Sequence, residues 1–292
     1  VRALDFVGNA SEPSNEVTAI PHPRVAWANL QWPPTISHTI SAVNRTPDVS
    51  GQVFIEGATA SPGATPGLVA QLGYGPVGSV PGAGWTWVDA RFNTDAGNND
   101  ESAASLLPER VGTYDYVYRY SVTGGRDWLV ADQSGLVAAG AAPSKPGRLT
   151  VAASTDATAP SVPTGLSVVS RAPTAIGLEW HPVVGDATLH GYEIGRRAGG
   201  TGEFVVVGAS SGASFVDQTV SEGGTYSYAV RSVDTSLNRS GWSAQVSATA
   251  ELRKVTAEFT VTVPATTEAT GRTVHIAGSL DSLDGGLPAW NP

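Results

Sequence analysis

Apolar and polar residues alternate with a period of two along most of this chain. In the first half the runs are GQVFIEG (51–57), GLVAQLGYG (67–75), GWTWVDARFN (84–93), GTYDYVYRYS (112–121), RDWLVAD (126–132) and GRLTVAAS (147–154). In the second half they are TGLSVVS (164–170), AIGLEW (175–180), GYEIGRR (191–197), EFVVVG (203–208), SFVDQ (214–218) and TYSYAVRSVD (225–234). Successive side chains of an extended strand point to opposite faces, so this alternation predicts strands with one buried face. Gly- and Pro-rich breaks between the runs predict tight turns. No stretch keeps a helical period for more than two turns. The expected fold is all-β, a series of tandem β-sandwiches.

An internal repeat sets the expected boundaries. VRALDFVGNASEPSNEVTA (1–19) lies without gaps on VRSVDTSLNRSGWSAQVSA (230–248), sharing Val, Arg, Asp, Asn, two Ser, Val and Ala. Such repeats mark copies of one structural unit. The second copy closes a complete pattern of six or seven short strands in roughly 90 residues, the size of a small sandwich. Within it Leu178 and Trp180, and then Tyr226, Tyr228 and Val230, alternate onto one face each, which places these aromatics in a core. This stretch resembles a fibronectin type III domain. The resemblance implies that Trp180 fills the core from the second strand, that Tyr226 forms the corner opening the sixth, and that the domain is a spacer without catalytic activity. The expected domains are 1–19, the C-terminal remnant of an earlier fibronectin type III copy; 20–154, a larger sandwich; 155–250, the fibronectin type III domain; and 251–292, which differs in texture.

In the middle domain GTYDYVYRYS echoes GTYSYAVRSV of the later one, which makes Tyr114 a candidate corner residue. Tyr114, Tyr116, Tyr118 and Tyr120 share one face and read as core with hydroxyls at its rim. In GWTWVDARF the set Thr86, Val88, Ala90 and Phe92 is the better core face, leaving Trp85, Trp87, Asp89 and Arg91 on the outer one. Exposed indoles stack on sugar rings, whose C–H groups match an aromatic face, and neighbouring charged groups bond the hydroxyls. The competing reading is that another segment covers both rings. Trp27 and Trp32, in a Pro-rich lead-in, read as strand-edge packing. Asn93, Asp95, Asn98, Asp100 and Glu101, with Gly97 allowing a bend, offer oxygen donors that would suit a hard cation such as Ca2+. Asn/Asp/Gly runs are equally ordinary turn formers. From TPGLVAQLGYGP to GTYDYVYRYS the segment also resembles a module of large bacterial amylases and amylopullulanases, found between fibronectin-like units and a starch-binding domain.

After Ala250 the runs FTVTVPA and RTVHIAG alternate around a polar turn and lead to GGLPAWNP. This resembles the opening of a family 20 starch-binding module, and the resemblance implies that Trp290 is its sugar-stacking ring.

Composition narrows the classes. Charged residues are 15 % of the chain, well below the ~25 % of soluble domains. The net charge of −9 argues against a nucleic-acid partner, which requires basic clusters. No apolar run approaches a membrane span. With no Cys, neither disulfides nor thiolate chemistry arise, and no cofactor is required. With no Met, Val1 is no translation start, and the chain reads as a fragment of a longer polypeptide. Glycoside hydrolysis needs two carboxylates flanking one cleft; among Asp89, Asp95, Asp100, Glu101, Asp115 and Asp132 no spacing selects a pair. The expectation is a non-catalytic accessory segment of a secreted or cell-surface α-glucan hydrolase, with starch, glycogen or pullulan and the rest of its own polypeptide as partners. The alternative is a fibronectin-like stalk of an adhesive protein.

Overall fold

The computed structural model describes residues 2–13, 15 and 23–253. These residues are all strand, turn and loop, with no helix among them. They form two compact units, one built on residues up to Thr158 and one on residues from Ala159. The all-β tandem-sandwich expectation holds.

The first unit contains β1 (Val25–Trp32), β2 (Thr35–Thr39), β3 (Val49–Ile55), β4 (Val69–Pro76), β5 (Thr86–Ala96), β6 (Asn99–Ala104), β7 (Gly112–Ser121), β8 (Leu129–Asp132), β9 (Gly135–Leu136) and β10 (Gly147–Ala152). Their hydrogen-bonded order is β1-β3-β6-β5-β4-β7-β10-β2, with β8 paired to β7 and β9. The ribbon closes into a sandwich because β5 changes partners midway. Up to Ala90 it pairs with β4; from Arg91 it pairs with β6. A strand that switches sheets makes the corner of such a sandwich. Sheet I is then β1-β3-β6-β5 and sheet II is β5-β4-β7-β10-β2.

The inward residues of both sheets form one core, with Leu30, Val53 and Ile55 meeting Leu72, Leu149 and the stripe Tyr116, Tyr118 and Tyr120. Burying a phenol requires a partner for its hydroxyl. Each of the three finds a backbone carbonyl of sheet I or its rim: Tyr116 donates to Pro33, Tyr118 to Val49 at 2.6 Å, and Tyr120 to Asn29 at 3.4 Å. Gly51 makes room for them, since a Cβ there would lie 2.5 Å from the Tyr118 ring. Tyr114 donates to the Arg110 carbonyl four residues upstream at 3.0 Å, the geometry of a tyrosine corner.

The second unit contains β11 (Thr164–Ala172), β12 (Ala175–His181), β13 (Leu189–Ala198), β14 (Val205–Ser210), β15 (Ser214–Asp217), β16 (Thr225–Asp234) and β17 (Val246–Thr249). Its sheets are β11-β12-β15 and β14-β13-β16-β17, a seven-stranded sandwich. Trp180, on its second strand, is 4 % exposed and packs edge-on to Tyr192 at 5.2 Å. Tyr226, opening its sixth, accepts the Ser221 N–H at 2.9 Å. Both residues sit where the fibronectin type III resemblance puts them.

The repeat noted in the sequence has one local geometry in both copies. Asp5 Oδ1 accepts the N–H groups of Val7 and Asn9, and Asp234 Oδ1 accepts those of Ser236 and Asn238. Single bridges close the two turns, Leu4 with Ala10 and Val233 with Arg239. Gly8 and Leu237 hold the same position of the turn, both at positive φ, 91° and 62°.

Candidate functional site

On the outer face of sheet II, Trp85 and Trp87 stand opposite Gly75 and Gly73. A Cβ on either glycine would lie 2.5 Å or less from the facing indole. The indoles lie flat on the bare backbone, filling the space that glycine leaves in a sheet. Trp85 is 8 % exposed, and its N–H donates to Ser79 Oγ at 2.9 Å. Trp87 stacks beside it at 5.8 Å. From β7, the Arg119 guanidinium lies 3.9 Å from the Trp87 ring and 4.2 Å from Trp128, between the two indoles. Its Nε donates to Gln71 Oε1 at 2.8 Å, and Gln71 Nε2 donates to Asp89 at 2.7 Å. Burial between the rings pulls the guanidinium below its ordinary pKa. The face assignment made from the alternation is right, but the expected open platform of Trp85 and Trp87 is not there. Gly73 covers one face of Trp87 and Arg119 the other, and Trp85 is buried.

The outer face of sheet I is built differently. Along β1, Val25, Ala28 and Leu30 point into the core, so Trp27 and Trp32 at an odd spacing would normally face opposite sides. Two irregularities of register, between Val25 and Trp27 and between Leu30 and Trp32, bring both outward. Trp27 then pairs with Phe54, Asn29 with Gln52 and Trp32 with Ser50. Bulges of this kind re-aim side chains. Trp27 is 39 % exposed and Trp32 65 %. A row of planar polar groups crosses between them: Gln52 Nε2 donates to Glu101 at 3.3 Å, Asn93 to Glu101 at 2.7 Å, and Asn99 to Gln52 Oε1 at 3.3 Å. Trp27 and Phe54, with Asn98 and Asn99, line a shallow hollow of about 260 Å³. The lead-in tryptophans were expected as edge packing; they are instead the more open indoles of this unit. The sequence signal was the pair of Trp flanking Asn and Gln in WANLQW.

The acidic stretch expected to offer calcium ligands is a hairpin. Ala96 pairs with Asn99 around a two-residue turn, with Gly97 at φ 70° in its first position. Glu101 holds Asn93 and Gln52 on the outer face. Asp95 is exposed and accepts the Gly63 N–H at 3.0 Å. Asp100 is buried, and one of its oxygens accepts the Thr65 N–H at 2.8 Å. Its other oxygen and Thr65 Oγ1 have no partner; with Ser102 they form the polar part of the wall of a cavity of about 40 Å³ that is otherwise lined by Ala64, Leu68, Ala70, Ala90 and Phe92. Three oxygens fall short of the six to eight that calcium takes. Among the described residues no three His, Asp or Glu side chains converge on a metal position. The expectation that Asn93, Asp95, Asn98, Asp100 and Glu101 form one cage is therefore corrected, because the hairpin bonds Asn93 to Glu101 on the outer face and gives Asp95 and Asp100 different backbone partners.

Three further buried carboxylates are engaged one by one. Asp115 meets Arg148 at 2.8 Å and accepts the Gly78 N–H at 2.7 Å. Asp132 accepts from Ser134 and from the Lys145 N–H. Burial works against the Asp132 charge, yet these donors outweigh it and hold the group below its usual value. In the second unit, Asp217 binds Arg196 at 2.8 Å and the Tyr228 hydroxyl at 2.9 Å. There Arg231 lies over Trp242 at 4.3 Å and pairs with Glu193 at 2.6 Å. Trp290 lies outside the described residues.

No family model matches the chain. Along its whole length it is similar to the amylopullulanase of Thermoanaerobacter thermohydrosulfuricus, 33 % identical over 312 aligned positions, and to that of Thermoanaerobacterium thermosulfurigenes, 29 % over 308. It spans 20 % and 15 % of those two proteins. Among solved structures, the fibronectin type-III domain of human fibronectin type III domain containing protein 3 aligns over 34 % of this chain and 94 % of its own, at 17 % identity and a TM-score of 0.31. At that score the strand order of each unit remains the basis of the fold assignment.

Proposed function

We propose that the chain is a non-catalytic accessory segment of an α-glucan hydrolase of the amylase/pullulanase type, serving as spacer and as carbohydrate-binding surface. The observation that carries this reading is similarity to amylopullulanases along the entire chain while spanning a fifth or less of their length. Two further features support it. The candidate carboxylates Asp89, Asp95, Asp100, Glu101, Asp115 and Asp132 each accept from protein donors, and tryptophans stand on outer sheet faces. In this reading residues 1–19 are the remnant of one fibronectin type III domain and 155–250 are a complete one, which acts as the spacer. Residues 20–154 are a larger accessory sandwich. Residues 251–292 open a starch-binding module with Trp290 as its stacking ring. The protein works outside the cell on starch, glycogen or pullulan, attached to the rest of its polypeptide.

Co-sedimentation with granular starch tests the reading, with microcrystalline cellulose as the control. The expected result is depletion of the chain from the supernatant by starch alone. A chain left in solution by both would favour the second reading, a fibronectin-like stalk, for which the second unit's seven strands are motivation enough.

A further inference from the structure

We infer that the outer face of sheet I is a binding site for an uncharged α-glucan chain, lying across β1 and β3 with Trp27 and Trp32 as its two ring contacts. The inference rests on the glucan reading above and adds the site. Four observations carry it. First, two register irregularities on one eight-residue strand put both tryptophans on the same face, where the plain alternation would bury one. A large apolar ring turned to solvent loses the burial that core packing offers, so two such departures in one strand point to use of that face. Second, the two stations are four residues apart along β3, at Phe54 and Ser50, or about 13 Å at ~3.3 Å per residue. That separation suits an extended chain of several rings better than one small ligand. Third, the ground between them is an amide and carboxylate row whose members already hold one another by Gln52–Glu101, Asn93–Glu101 and Asn99–Gln52 bonds. Such planar groups offer both donors and acceptors in fixed directions, the complement of hydroxyl groups. Fourth, the charged groups between the rings already have protein partners: Glu101 accepts from two amides, and Arg91 is tied to Asp48 at 2.5 Å. A neutral polyol would find rings and hydrogen-bonding groups there.

The sheet II ladder offers the contrast. Its Trp87 ring is already occupied by Arg119, so a sugar would have to displace a guanidinium to stack there.

The test is affinity electrophoresis of the full chain in native gels containing soluble starch or pullulan, with dextran as a control glucan of different linkage. The variants are Trp27→Ala, Trp32→Ala, Trp87→Ala and Trp290→Ala. The expected result is that starch retards the wild type and that each of Trp27→Ala and Trp32→Ala weakens the retardation about tenfold, the equivalent of one lost ring contact. Trp87→Ala should leave it unchanged. Retardation that survives at Trp27 and Trp32 but is abolished by Trp290→Ala would overturn the sheet I site and leave the glucan reading standing. A wild type that starch does not retard would overturn both. Melting curves guard against misfolding; if Trp27→Ala melts early, Trp27→Phe replaces it. Binding kept by Phe supports the site, and binding lost with the fold intact counts against it. Self-association in sedimentation velocity that disappears in Trp32→Ala would mean that the face pairs with a second copy, and the proposal would fall.

Discussion

Strands β7 and β16 hold the same place in their two sandwiches. Each opens on a corner tyrosine (Tyr114, Tyr226), buries a second one (Tyr116, Tyr228) and turns an arginine (Arg119, Arg231) outward onto an indole. The means of satisfying these polar tips differ. In the first unit three phenols donate to neutral backbone carbonyls, and Arg119 is held by Gln71 between two rings. In the second the Tyr228 hydroxyl donates to the Asp217 carboxylate, and Arg231 pairs with Glu193. One strand pattern can thus be completed by dipoles or by ions. The choice is made by groups on other strands, the Val49 and Asn29 carbonyls in one case, the Asp217 and Glu193 carboxylates in the other.

The comparison should break first at the extremes of pH. Burial raises the pKa of Tyr116, Tyr118 and Tyr120 above the ordinary value of 10.0. A group raised in the folded state gives stability that is present in full below its unfolded pKa and lost as pH climbs beyond it, at about 1.4 kcal/mol per pH unit for each phenol. The first unit, with these three phenols and Tyr74, which burial also raises, against Tyr228 alone in the second core, should melt first above pH 10. At the acid end the order reverses, because the second unit has two buried or half-buried carboxyls of lowered pKa, Glu193 and Asp217, against Asp132 in the first. Burial opposes the charges of Glu193 and Asp217, yet their donors, chiefly Arg239 and Arg231 for the former and Thr219 for the latter, hold both carboxyls below 4.5 and 3.8. Depressed groups stabilise above their unfolded pKa, and the contribution is lost as pH falls through the folded one. Calorimetric scans from pH 3 to 12 should therefore exchange the order of the two transitions. A fixed order across the range would contradict the distinction.

Trp180→Ala should cost about 3–5 kcal/mol, seen in urea as a shift of the second unit's transition only. A loss below about 1 kcal/mol would mean that the ring is not the core residue its 4 % exposure indicates. The paired variants Tyr228→Phe and Tyr118→Phe sharpen the contrast between ions and dipoles. The first, which takes a donor from a carboxylate, should cost about 2 kcal/mol and the second about 1 kcal/mol. Equal losses would remove the energetic meaning of the comparison. Smallest is Leu237→Gly, which puts at φ 62° the residue that the other copy of the turn already carries as Gly8. Relief of a left-handed Leu should raise the melting midpoint by no more than about 1 kcal/mol equivalent.

The strands and their faces were legible because alternation is a local signal. The inward stripe of β7 fell into place for that reason, whereas the places of Trp180 and Tyr226 came from the fibronectin type III resemblance and that of Tyr114 from its echo of the later strand. What escaped depends on partners. That Trp85 and Trp87 lie on an outer face follows from β5 alone; that they are covered follows from Gly73 and Gly75 on β4 and from Arg119 on β7. The acidic stretch looked like a loop because its Asn, Asp and Gly are turn formers, whereas only Gly97 and Asn98 form the turn and the rest pair as β5 and β6. Trp27 and Trp32 were misjudged because a period of two cannot anticipate a bulge, and β1 has two.

The three buried phenols also bear on how the first unit would carry load. Tyr116, Tyr118 and Tyr120 project from one strand of sheet II, and each is bonded to backbone at or beside sheet I. They act as rivets through the thickness of the sandwich. A pull on the chain that tried to slide one sheet over the other would have to break all three bonds together rather than unzip them in turn. A unit so fastened would pass tension from one end to the other with little stretch.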